Sequence, residues 1–209
     1  MEKLIRYGII GIGGMGANHA NLLLQNKINH ACLVSVCDMN KSFANNFADI
    51  PFYSNASDFF NKEKIDVAII ATPHRSHVNL GKEALENHIN IIIEKPLAVT
   101  TKQCREFIEF SKNYDSKFGI MLNQRTNPAF IKLKKMITVG ELGKIHRYQW
   151  TITDWFRTNY YYNISDWRAT WKGEGGGVLM NQSIHQLDLC QWLFGMPDSV
   201  ITDMQLGHF

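Results

Sequence analysis

Cysteine is scarce and unpatterned. The 209-residue chain holds four, Cys32, Cys37, Cys104 and Cys190. They form no C-x-x-C pair and no zinc-ligand spacing, which argues against a structural zinc site and leaves reduced thiols in a cytosolic protein as the expectation. No apolar run reaches the roughly 18 residues of a membrane-spanning helix. The opening MEKLIRYGII leads straight into an expected strand and not into a secretory signal. Long basic runs are missing too, and the net charge is only +3, so neither nucleic acid nor a membrane is an expected partner. There are no internal repeats and no low-complexity tracts. What remains, 45% hydrophobic and 20% charged residues, is the composition of a soluble globular protein large enough to bury a core.

The first half alternates. Apolar runs at Leu4–Ile10, Leu33–Cys37, Val67–Ala71, Ile89–Ile93 and Phe118–Leu122 read as strands. Helical spacing falls at Asn18–Gln25, Ser76–Asn87 and Thr101–Asn113. Strand runs apolar on both faces, alternating with helices, predict a doubly wound α/β domain on a parallel sheet. The rhythm then breaks, which places a domain boundary near Leu122–Asn127 and gives units 1–122 and 123–209. The second unit is expected to hold a helix at Phe130–Thr138, a strand at Ile145–Thr153 and the aromatic segment WFRTNYYYNISDWRATW. A glycine-led helix through Asn181 and His185 and a last strand at Val200–Leu206 follow. Four residues separate Asn181 from His185, one helical turn.

GIGGMG sits directly after the first strand and opens a helix, the context in which G-x-G-x-x-G marks a dinucleotide turn. Gly11 allows the tight turn, Gly13 lets the backbone approach a pyrophosphate, and Gly16 lets helix and strand pack closely, with the phosphates at the helix N-terminus. Gly11, Gly13, Gly14, Met15 and Gly16 are therefore candidate cofactor contacts. Asp38 ends the next strand, placed to accept both adenosine ribose hydroxyls and to repel a 2′-phosphate. NAD is favoured over NADP, a preference that the nearby cation Lys41 moderates.

ATPHRSHV places Thr72, Pro73, His74 and His77 at the carboxyl end of another strand, where doubly wound sheets bind ligands. The two histidines lack a third partner nearby and are expected to be turn and cap residues beside the cofactor, not metal ligands. EKPLAVT puts Glu94, Lys95 and Pro96 at the same end of the sheet. Pro96 restricts Lys95 to extended backbone and allows a cis bond.

GIGGMGANHA, Asp38, ATPHRSH, EKPLAVT, NQRTNP and WRATWKGEGGGVLMNQSIHQLDL, in this order and over essentially the whole chain, resemble the Gfo/Idh/MocA family of NAD(P)-dependent sugar and cyclitol oxidoreductases. The resemblance implies a Rossmann domain followed by an α/β domain on a mostly antiparallel sheet, whose face holds substrate and often forms a homo-oligomer. It also implies that Lys95 is the active-site lysine and His185 the catalytic histidine. Those roles suit the chemistry. Oxidising a secondary alcohol needs a proton acceptor, and an imidazole titrates near neutrality. Lys95 would hold the substrate oxygen and stabilise a developing alkoxide.

Where many family members carry Asp one turn before the histidine, this chain has Asn181, which can hydrogen-bond a hydroxyl but takes no proton. Asp188 either orients the helix or is structural. Arg125 and Arg168, the latter between Trp167 and Trp171, are the further candidate substrate contacts, suited to a carbohydrate or cyclitol. Family members continue well beyond Phe209, so the second domain is expected to be truncated, with an apolar face that would drive pairing with another chain.

Overall fold

The computed structural model describes residues 4–153, 156–165 and 167–205. The chain divides into two compact units, Met1–Met121 and Leu122–Phe209. The first is built on strands β1 (Ile5–Ile10), β2 (Ala31–Cys37), β3 (Phe52–Tyr53), β4 (Val67–Ile70), β5 (Asn90–Ile93) and β6 (Phe118–Ile120). Helices α1 (Gly14–Leu24), α2 (Ala56–Lys62), α3 (His77–Glu86) and α4 (Thr101–Ser111) lie between them. Every pairing is parallel, in the order β3-β2-β1-β4-β5-β6. The order reverses between β1 and β4, and at such a point a crevice opens outside the carboxyl ends of the strands.

Period-two alternation sorts the sheet into two cores. Ile9, Val36 and Ile69 point to one face with Ala20, Leu23 and Phe47. Ile10, Cys37, Ala68, Ile70, Ile91 and Ile93 point to the other with Phe59, Leu85 and Phe107. Both faces are covered, so the strands are mostly apolar, with Arg6, Ser35 and Asn90 as polar exceptions. Ile9, Ile70 and Ile93 are completely buried, each contributing about 1.5–3 kcal/mol by leaving water. Close packing also fixes Gly81, where an added Cβ would lie 2.8 Å from the Phe107 ring.

Burial acts on Cys37 chemically. Desolvation, with the nearby charges of Asp38 and Glu83, pushes its pKa up to about 12. The reactive thiolate is therefore suppressed. Alkylation of the native protein at pH 8 followed by mass spectrometry is expected to leave Cys37 unmodified until the chain is unfolded.

Helix α1 begins four residues before the expected Asn18, because the glycine turn is itself the first helical turn. The short elements β3 and α2 carry no readable period. Asn55 starts α2 by accepting the Asp58 N–H.

In the second unit, α5 (Pro128–Thr138) starts at Asn127, whose side chain accepts the Ala129 N–H, with Pro128 in the first turn. Short helices α6 (Asn159–Asn163), α7 (Trp171–Glu174) and α8 (Val178–Asn181) precede α9 (Ile184–Phe194). Two expectations are corrected here. Residues 145–153 carry no strand, nor do 200–205, while Leu206 lies outside the described residues. A strand exists only by hydrogen bonding to a neighbour, and all strands among the described residues belong to the first unit. The helix expected through Asn181 and His185 is broken: α8 ends at Asn181 and α9 begins at Ile184. The Ser183 N–H turns back to the Val178 carbonyl, so the two residues sit on different helices.

Candidate cofactor and active site

Strand register assembles the first-unit site. Ile10 pairs with Cys37 and with Ile70, and Ile70 with Ile93. The residues that follow are consequently level. Gly11 N–H donates to the Cys37 carbonyl, Ala71 N–H to that of Ile10, and Glu94 N–H to that of Ile70. One row of backbone thus sets the glycine turn, Asp38, the Ala71–Pro73 turn and Glu94–Lys95 side by side.

The glycines differ in kind. Gly11 has φ +84°, and a Cβ there would lie 2.7 Å from the Thr72 nitrogen. A Cβ on Gly16 would fall 1.8 Å from the Gly11 carbonyl oxygen. Gly13 and Gly14 are the opposite case: an added Cβ meets nothing within 4 Å. The turn is therefore closed on the sheet side and open outward, with Met15 exposed beside it. No side chain caps α1, which leaves its first N–H groups for an anionic ligand.

Asp38 braces this turn from β2. One carboxylate oxygen accepts the Ile12 N–H and the other the Asn40 N–H, both at 2.9 Å. Each oxygen keeps a lone pair for a hydroxyl donor.

Thr72 accepts the Ser76 hydroxyl at 2.7 Å, Pro73 is exposed, and His74 is buried with its ring 6.0 Å from that of His77. His77 is completely buried. Its Nδ1 lies 2.7 Å from the Pro96 carbonyl oxygen and its Nε2 2.7 Å from that of Thr72. What His77 does for a ligand it does through these two backbone segments. Burial, the largest influence, pushes its pKa below the ordinary value; the two carbonyls and Glu94 act upward, and Lys95 downward.

Glu94 is buried, with one oxygen 2.8 Å from His19 Nε2 on α1 and the other accepting the Lys95 N–H at 3.3 Å. The bond from Lys95 to Pro96 is cis. His19 had no sequence signal, because its partner is 75 residues away.

The remaining candidates lie in the second unit. Arg125 forks onto Asp188, Nε to Oδ2 at 2.8 Å and Nη2 to Oδ1 at 2.5 Å. This bond raises the Arg125 pKa. The guanidinium also sits 5.8 Å from the Trp192 ring centre. Asp188 thus ties α9 to the turn at Asn123–Thr126. Arg168 donates to the Tyr161 hydroxyl and stacks 4.3 Å from the Tyr161 ring centre and 4.7 Å from that of Trp167. Trp155 lies outside the described residues. Asn181 is buried and donates its amide to Glu174, a buried carboxylate that also accepts the Ala169 N–H at 3.2 Å. Glu174 likewise carries no sequence signal, since a lone acid between glycines has no spacing to mark it. His185 is half-buried in the first turn of α9.

Comparison with known proteins places this geometry. Residues 5–121 match the model of an oxidoreductase family with an NAD-binding Rossmann fold, and residues 130–208 match the C-terminal domain of the same family. The chain belongs to the Gfo/Idh/MocA oxidoreductase family. Among Gfo/Idh/MocA relatives, the uncharacterised oxidoreductase YdgJ of Escherichia coli is 29% identical over 98% of this chain and 58% of its own length. An inositol 2-dehydrogenase of Salmonella typhimurium is 30% identical over 67% of this chain and 43% of its own. The WlbA dehydrogenase of Bordetella pertussis, solved with NADH and UDP-GlcNAcA, aligns with a TM-score of 0.81. It shares 27% identity over 92% of this chain and 60% of that one. The chain spans little more than half the length of such Gfo/Idh/MocA proteins.

Proposed function

We propose that this chain takes part in hydride transfer between NAD and a secondary hydroxyl of a sugar, sugar derivative or cyclitol. The observation that carries the reading is the level row formed by the glycine turn, Asp38, Thr72–Pro73 and Glu94–Lys95. These residues fit an adenine dinucleotide: Gly13 and Gly14 leave open space, the α1 N–H groups suit a pyrophosphate, and Asp38 keeps acceptors for ribose hydroxyls. When bound, the nicotinamide supplies the carbon that accepts or returns a hydride. Lys95 holds the reacting oxygen and stabilises its negative charge. His185 takes the hydroxyl proton in oxidation and returns it in reduction.

The relatives' inositol and sugar-nucleotide chemistry supports the substrate class, with Arg125, Arg168 and Asn181 as candidate contacts beside His185. In the structure Arg125, Arg168 and Asn181 already bond to protein groups, which argues that they shape the wall around a substrate as much as they touch one. The exposed apolar side chains of the second unit, among them Val178, Leu179 and Leu187, support assembly with another chain. The scattered spacing of the four cysteines fits a reducing, cytoplasmic setting.

Asp38 should make the chain discriminate. NADH is expected to bind at least about tenfold more tightly than NADPH, roughly 1.4 kcal/mol, in parallel fluorescence titrations. Equal affinities would remove the role given to Asp38. Turnover is tested by following nicotinamide absorbance across a panel of sugars, cyclitols and sugar nucleotides. Reduction of NAD by at least one of them is expected. Tight NADH binding with no turnover on any of them would favour a dinucleotide-binding role without catalysis.

A further inference from the structure

Lys95 is bracketed by two histidines from different helices. On one side, the Glu94 carboxylate lies 2.8 Å from His19 Nε2 and also accepts the Lys95 N–H. On the other, the Pro96 carbonyl lies 2.7 Å from His77 Nδ1. His77 reaches the Thr72 carbonyl with its second nitrogen, and Thr72 borders the glycine turn at Gly11. His19 comes from the helix that the glycine turn opens. The loops after β1, β4 and β5 are therefore stapled together by two imidazoles, and the residue caught between the staples is the lysine.

Geometry explains why imidazoles serve here. His77 is completely buried, and the side chains of His19 and Glu94 are 13% and 9% exposed. A neutral imidazole carries one N–H, and with it on Nδ1 the Pro96 carbonyl accepts the bond while the Thr72 carbonyl packs against the other nitrogen. A buried donor left without a partner costs free energy, so that bond and the His19–Glu94 bond strongly specify one arrangement. A flexible lysine stem gains precision only if its backbone is fixed, and a misplacement of about 1 Å can cost on the order of a hundredfold in rate.

We propose that His77 and His19 are positioning residues for Lys95, fixing the backbone on both of its sides without touching cofactor or substrate. The inference rests on the role given to Lys95 above, but the placement of the lysine is measurable without turnover. Competitive acetylation with acetic anhydride, read by mass spectrometry, compares Lys95 with the exposed Lys102 in the same sample.

His77→Leu and His19→Leu are expected to change the Lys95 rate by about threefold or more, as an amine moved into a different environment does, and to leave Lys102 unchanged. His77→Asn, whose amide stands where Nδ1 stood, and His19→Gln, whose amide stands where Nε2 stood, are expected to restore it. His77→Gln reaches toward Thr72 and is expected not to. In a preparation that turns over, the leucine variants should lower kcat by roughly tenfold to a hundredfold, a larger factor than the accompanying loss of NADH affinity, which follows from the Thr72 loop bordering the glycine turn. If a leucine variant does not fold, the amide pair His77→Asn and His77→Gln decides by the difference between them. An unchanged Lys95 rate in folded variants overturns the proposal. So does a parallel change at Lys102, which would mean general loosening, or a failure of the matching amides to restore the rate. An inactive wild-type chain whose Lys95 rate still follows this pattern would sink the dehydrogenase reading and leave the staples standing.

Discussion

Lys95→Ala is expected to lower kcat by about a hundredfold to a thousandfold, the cost of removing one preorganised donor to a developing oxyanion, while NADH affinity stays within about threefold of wild type. Lys95 follows directly on β5, whose end is level with those of β1 and β4, so its position is set by the sheet. Alanine deletes the ammonium but keeps the backbone N–H that donates to Glu94, the Pro96 carbonyl held near His77, and the glycine turn. Cofactor loops should therefore survive. Lys95→Arg is not expected to rescue, because a planar guanidinium cannot place a compact charge at the same point. Steady-state kinetics with a cofactor titration on the same preparation checks both halves. Intact turnover in Lys95→Ala would remove the lysine from the chemistry.

Gly16→Ala and Gly13→Ala should separate fold from binding. A Cβ at Gly16 would sit 1.8 Å from the Gly11 carbonyl oxygen, where non-bonded carbon contacts need roughly 3.5 Å. The glycine turn must shift, at a cost of about 1–3 kcal/mol in stability, and with it the N–H groups that would face a pyrophosphate. A lower melting temperature and loss of NADH binding by about a hundredfold or more, near 2.7 kcal/mol, are expected together. Gly13 has φ −66° and open space where its Cβ would stand. Gly13→Ala should therefore melt like wild type and still bind NADH about tenfold more weakly, since the added methyl occupies the face left for the ligand. Thermal melts and titrations of both variants test this. Equal losses of stability in the two, or full binding in Gly13→Ala, would contradict the division of roles.

Much of the first unit is legible in sequence because its strands are buried on both faces. Val67–Ala71 is apolar without interruption and Ile89–Ile93 is broken only by Asn90, and proline follows each run within three residues. Register is not legible. That Ile10, Cys37, Ile70 and Ile93 end level is a property of hydrogen bonding between segments, and so is every contact that depends on it. His19 and His77 show the limit from the side-chain end. Neither spacing nor residue type says that Glu94 and Pro96 would be their partners. In the second unit, Ile145–Thr153 has the composition of a strand, but β propensity describes fitness for a ladder and does not supply the neighbour. Asn181 and His185 have the spacing of one turn, and the reversal at Ser183 separates them. Asp188, open between two roles in sequence, pairs with Arg125, which reaches it from 63 residues away.

The central claim is that the level row at the carboxyl end of the sheet is a dinucleotide site. Its most direct test is a fluorescence titration of NADH into the folded chain, with NAD as competitor. Saturable binding that NAD displaces, and that Gly13→Ala weakens without lowering the melting temperature, is the predicted result. A folded chain that shows no saturable NADH binding would contradict the account.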